Sequence, residues 1–76
     1  MNGELTLGRA ASCHITLDDT YMSQLHARVS PHGEGIEIED LGSTNGTYLN
    51  RQRVTSTVLA SPGDHLQVGG IVMELR

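Results

Sequence analysis

Three short stretches concentrate small polar side chains between apolar runs: "LGRAAS" with Arg9, "YMSQLHAR" with Ser23 and His26, and "LGSTNGTYLN" with Thr44 and Asn45. If the fold gathers them at one end, they bring together a guanidinium, two hydroxyls, a carboxamide and exposed backbone N–H groups. Such a set suits a tetrahedral oxyanion. Arginine supplies charge in a planar fork, while hydroxyls and amides add neutral donors without a second charge to desolvate. Each charge-assisted hydrogen bond of this kind contributes about 1.5 to 3 kcal/mol.

Other chemistries fare worse. Ser23 and His26, with Asp18, Asp19 or Asp40 to orient an imidazole, suggest a nucleophile and base, but Ser23 falls in a loop and His26 enters a strand. No Gly-x-Ser-x-Gly elbow is present, so no catalytic residue is assigned. His14, His26, His32 and His65 are irregularly separated and no cysteine pair accompanies them, which leaves no metal site. "GRAAS" has a single glycine and no lysine, so it is no phosphate loop, and no cofactor is implied. Asp18 and Asp19 read as a solvated turn bordering Ser23, and the segment 18–22 is the expected source of preference for flanking ligand residues. His26 is the better candidate for a buried bracket between loops.

The elements that must position these residues are short. Alternating runs recur at "LTL" (5–7), "HITL" (14–17), "HARV" (26–29), "IEIED" (36–40), "HLQV" (65–68) and "IVMEL" (71–75), a period of two that reads as half-buried strand. Between them "GRAAS", "DDTYMS", "SPHGEG", "GSTNG" and "SPGD" carry the Gly, Pro, Asp, Asn and Ser of turns. Strands at this spacing predict an all-β sandwich or barrel, and no window carries a helical stripe. Ile36 and Ile38 should face the core with Glu37 and Glu39 outward, which delivers Asp40 and its loop to one end of the fold. Asn45-Gly46 is the expected tight reversal, with Gly42 and Gly46 supplying the bend.

Seventy-six residues make one small domain, 1–76, whose thin core must be aliphatic, because Tyr21 and Tyr48 are the only aromatics. Nine acidic residues against five arginines and no lysine give a net charge of −4, and with so few π faces this excludes bulk nucleic-acid binding. The lone Cys13 fits a reducing compartment and a packing role. No segment approaches the roughly 20 apolar residues of a membrane span, so direct membrane insertion is not expected. The chain starts almost in mid-strand at Leu5, so one or more N-terminal strands are expected upstream of Met1. A sandwich short of an edge strand exposes backbone groups through which it can self-associate.

Gly8-Arg9, the Ser-x-x-His from Ser23 to His26, "DLGSTNGTYLN" from Asp40 to Asn50, and the Gly-Asp followed by apolar-x-Val-Gly from Gly63 to Gly69 together resemble the forkhead-associated (FHA) family, and most closely small bacterial FHA proteins with the domain at the C-terminus. The resemblance implies an 11-stranded β-sandwich that reads phosphothreonine through loops at one end, without catalysis. By position it implies that Arg9 binds the phosphate, Ser23 donates its hydroxyl to a phosphate oxygen, Thr44 lines the phosphothreonine site and Asn45 holds the peptide main chain. Gln24 would make a secondary contact, and Gly8, His26, Ser43 and Gly46 would shape the loops. Family members often carry a basic or Asn residue where Gln24 stands, which implies a weaker site or one more dependent on flanking contacts. The implied partner is a phosphothreonine protein, a Ser/Thr protein kinase or its substrate. The implied place is the cytoplasm, with any membrane tether in the upstream segment. The alternative function is a structural or assembly domain that uses a sandwich face or edge strand and ignores phosphate.

Overall fold

The alternating runs become strands. In the computed structural model, which describes residues 3–75, nine strands form in chain order: β1 (Leu5–Gly8), β2 (Ile15–Thr16), β3 (Ala27–His32), β4 (Gly35–Asp40), β5 (Thr47–Leu49), β6 (Gln52–Arg53), β7 (Val58–Ala60), β8 (His65–Val68) and β9 (Ile71–Glu74). Met1, Asn2 and Arg76 lie outside the described residues, and with them the expected end of the last strand at Arg76. One sheet has the order β2-β1-β3-β4-β7 and the other β6-β5-β8-β9. Neighbouring strands are antiparallel except for β1 and β2, which run parallel through Leu7↔Ile15 and Gly8↔Thr16.

The aliphatic core lies between the sheets. Leu7, Ala27, Ile38 and Ala60 come from the first sheet and Leu66 and Val68 from the second, with Met22 closing the cluster from a loop. Ile36 packs against it, as do Ile71, Met73 and Leu75 at the C-terminal end, while Val72 and Glu74 point out. Glu37 and Glu39 are half-buried rather than fully solvated, because each leans on a side chain of β3: the His32 imidazole in one case, the Arg28 guanidinium in the other.

Three strands were not expected from the sequence. β5, β6 and β7 have only two or three residues each, too short to display an alternation, and β6 is wholly exposed. They form because their neighbours offer backbone partners: β5 lies between β6 and β8, and β7 adds to β4. The turn expected over "SPHGEG" shrinks to Gly33 and Glu34, since β3 continues through His32, which pairs Gly35. Gly33 takes a positive φ of 60° at the first loop position, as a two-residue hairpin needs.

The hairpin joining β5 to β6 is equally tight. Leu49 pairs Gln52, so Asn50 and Arg51 alone form the turn, with φ of 50° and 71°. Both positive values are those of a type I′ turn, the shape that matches strand twist. Asn50 also caps the next crossing, its Oδ1 accepting the His65 N–H at 2.9 Å. The expected reversal at Asn45-Gly46 is corrected accordingly: there only Gly46 has positive φ, at 90°, and the chain bends rather than pairing back on itself.

Candidate functional site

Gly8 closes β1, and the chain then runs against the segment before β3. The Arg9 N–H donates to the Ser23 carbonyl at 3.0 Å and the Ala10 N–H to the Gln24 carbonyl at 3.1 Å. This approach is so close that a Cβ on Gly8 would overlap the Gln24 carbonyl oxygen, which is why glycine stands there. Cys13 is buried beneath, its Sγ donating to the same oxygen at 3.3 Å. The third stretch joins through side chains. Ser23 Oγ accepts the Thr44 N–H at 3.0 Å, and Asn45 Nδ2 donates to the Tyr21 carbonyl at 3.0 Å. Thus Arg9, Ser23, Thr44 and Asn45, distant in sequence, form one surface.

Two groups, the buried His26 and the half-buried Asp40, brace that surface. His26 is fully buried, and every polar group it has is used. Its Nδ1 accepts the Ser23 N–H at 3.1 Å, its Nε2–H donates to the Gly46 carbonyl at 2.8 Å, its backbone N–H donates to Leu7, and its carbonyl accepts from Leu41. An Nδ1 that accepts fixes the proton on Nε2. Neither ring nitrogen bonds the Ser23 hydroxyl, so the Ser-His pair is a bracket and no nucleophile–base couple.

Asp40 does for the 40–47 loop what His26 does between loops. Its Oδ2 accepts the N–H groups of Gly42 and Ser43, each at 3.1 Å, and its Oδ1 accepts the hydroxyls of Ser43 at 2.5 Å and Thr47 at 2.6 Å. Ser43 Oγ in turn accepts the Gly46 N–H at 3.0 Å. Burial pushes the Asp40 carboxyl up, but the hydrogen bonds from Ser43, Thr47 and Gly42 together outweigh it and hold it below the ordinary carboxylate value. The loop is therefore organised around an anion it already owns, which leaves the Thr44 and Asn45 side chains exposed.

The candidate groups on this surface remain available. The Ser23 hydroxyl accepts from Thr44 and keeps its own hydrogen to donate. Arg9 is 41% exposed and faces only Asp18, itself 99% exposed, at 4.0 Å. An exposed pair at that separation is weak and readily displaced by a doubly charged anion. Gln24 contributes its main-chain carbonyl to the Arg9 loop, while its exposed amide makes no hydrogen bond among the described residues.

One reading needs correction and three residues were missed. Asp19 is not a solvated partner of Asp18: its Oδ2 accepts the N–H of Tyr21 at 3.1 Å and of Gly70 at 2.9 Å, tying the 18–22 segment to the β8–β9 turn. Asp40 and Thr47 were missed as a loop-organising pair, although Asp followed by Gly two residues later is an Asx-turn signal. Arg53 was missed because its place beside Gly46 depends on the unexpected β6.

The FHA domain family model matches residues 5–69, which takes in β1 to β8 and all three loops. The chain belongs to the FHA family. It is 47% identical over 75 residues to the FHA domain-containing protein FhaB of Mycolicibacterium smegmatis, a match that covers 99% of this chain and 48% of FhaB. The chain thus spans about half the length of that relative. Among solved structures, this FHA domain superposes with a TM-score of 0.87 and 28% identity on one from a study of phosphothreonine-dependent FHA domain interactions, covering 97% of this chain and 76% of the other. With Mycobacterium tuberculosis EmbR in complex with a low-affinity phosphopeptide, the TM-score is 0.80 and the identity 32%, over 87% of this chain and 17% of EmbR. FHA domains are interaction modules, and this one carries no catalysis. Among the described residues no helix is long and apolar enough to cross a membrane.

Proposed function

We propose that this FHA domain binds phosphothreonine segments of partner proteins in Ser/Thr kinase signalling, through Arg9, Ser23, Thr44 and Asn45. The observation that carries the reading is the pairing of a half-exposed guanidinium and a hydroxyl hydrogen free to donate with loops that His26 and Asp40 brace from within. Arg9 supplies the charge, Ser23 and the loop amides supply neutral donors, Thr44 lines the threonine and Asn45 fixes the ligand main chain. Gln24 adds a secondary polar contact. Preformed loops cost little ordering on binding, which suits recognition of a short segment. The phosphopeptide bound to EmbR and the phosphothreonine-dependent interactions of the other structural relative support the same assignment.

A Ser/Thr protein kinase or its substrate is the partner this chemistry calls for, and the free Cys13 suits a cytoplasmic site. The test is a titration with a phosphothreonine peptide, its phosphoserine twin and its unphosphorylated twin. The methyl of threonine, seated against Thr44, should favour the first over the second by about 1 to 3 kcal/mol, and the third should not bind. Equal binding of all three peptides would sink the proposal.

A second reading rests on β9, which ends its sheet and presents an exposed Val72. Its free edge could pair with a second copy of the domain or with another strand. Sedimentation across a concentration range checks this: a phosphate-independent dimer supports it, and a monomer throughout removes it.

A further inference from the structure

We infer that Arg53 forms a second anion subsite beside the phosphothreonine loop, taking a carboxylate or a second phosphate carried by the same partner segment. The inference rests on the phosphothreonine reading and deepens it, since it names what the ligand carries next to its phosphothreonine.

Arg53 pairs with Tyr48 across the β5–β6 hairpin. Its Nε and Cζ lie only 3.3 Å from where a Cβ on Gly46 would stand, so the side chain lies across the backbone that follows Thr44 and Asn45. Here it borders a groove of about 490 Å³ lined also by Glu39, Asp40, Gly42, Val54, Thr55 and Thr57. The groove contains carboxylates, but both are already satisfied. Glu39 is paired with Arg28, and Asp40 takes its donors from Gly42, Ser43 and Thr47. Arg53 has no ion pair among the described residues.

The other arginines are placed differently. Arg28 is held by Glu4 and Glu39, Arg9 faces the phosphate site, and Arg51 sits at the hairpin tip near His65, Gln67 and Val72. Among the described residues, Arg53 is therefore the arginine that borders this groove without an ion pair. On a chain of net charge −4 an acidic ligand segment is otherwise repelled, so a local guanidinium with neighbouring hydroxyls decides where such a segment can lie.

The test is calorimetry with wild type, Arg53→Ala and Arg53→Lys, against a phosphothreonine peptide with neutral flanks and a set in which one glutamate, or one phosphoserine, is moved through the flanking positions. Wild type should bind the best acidic peptide about five- to tenfold tighter than the neutral one. Arg53→Ala should lose that gain while keeping its affinity for the neutral peptide, and Arg53→Lys should retain part of it. A gain from glutamate identifies a carboxylate subsite, and a gain from phosphoserine alone identifies a second-phosphate subsite. No gain at any position, or a gain that survives in Arg53→Ala, overturns the subsite while leaving neutral-peptide binding, and hence the phosphothreonine reading, intact. If no phosphothreonine peptide binds at all, the reading fails and the subsite with it.

Discussion

At the residue scale, the site depends on a carboxylate committed to its own loop. Asp40 collects two backbone N–H groups and two hydroxyls, and its depressed pKa means the folded state prefers the charged form. Its contribution to stability is present above the unfolded value of about 4 and is lost as pH falls through the lower folded value. Asp40→Asn would turn an amide NH2 toward donors and should destabilise the fold by about 1 to 3 kcal/mol near neutral pH. Thermal denaturation at about pH 7 and about pH 3 checks this, because the gap between wild type and variant should narrow in acid. A gap unchanged with pH would show that the carboxylate's charge is not what organises the loop. The oligopeptide "DLGSTNGT" is thus folded around its own carboxylate, with the Thr44 and Asn45 side chains exposed.

At the element scale, the hairpin joining β5 to β6 holds Arg53 in place with a turn that is not optimal. Asn tolerates positive φ and earns its position through the His65 N–H, but Arg51 at φ 71° bears a Cβ where type I′ turns prefer glycine. Arg51→Gly should therefore raise stability by up to about 1 kcal/mol, less the extra freedom glycine gives the unfolded chain. Chemical denaturation measures this; a lower midpoint would mean the turn is not strained as its φ implies. The same hairpin shows what could be read in advance. The long alternations of β3, β4, β8 and β9 were legible because burial on one face repeats over several residues. β5, β6 and β7 were not, because two or three residues carry no period and owe their conformation to partners distant in sequence. Likewise Arg9, Ser23, Thr44 and Asn45 were legible as a set of types and motifs, and Asp40 in part as an Asx-turn signal, whereas Asp19 takes its role from Gly70, 51 residues away, and Arg53 from a hairpin too short to show a period.

At the scale of the whole molecule, two small sheets share a core too thin to hold mobile loops in place by packing alone. Instead His26 and Asp40 fasten the loops by hydrogen bonds, and the backbone zip between Arg9 and Ser23 aligns them. The architecture leaves one end of the sandwich preorganised and polar, with Arg9 its principal charge toward a ligand. Because that side chain is half-exposed and paired only weakly with Asp18, Arg9→Ala should melt like wild type. The most direct measurement is calorimetry of one phosphothreonine peptide against wild type and Arg9→Ala. Wild type is expected to bind it, and the variant to lose at least about 1.5 to 3 kcal/mol, roughly a ten- to hundredfold drop. Equal affinity of the two proteins for that peptide would contradict the account.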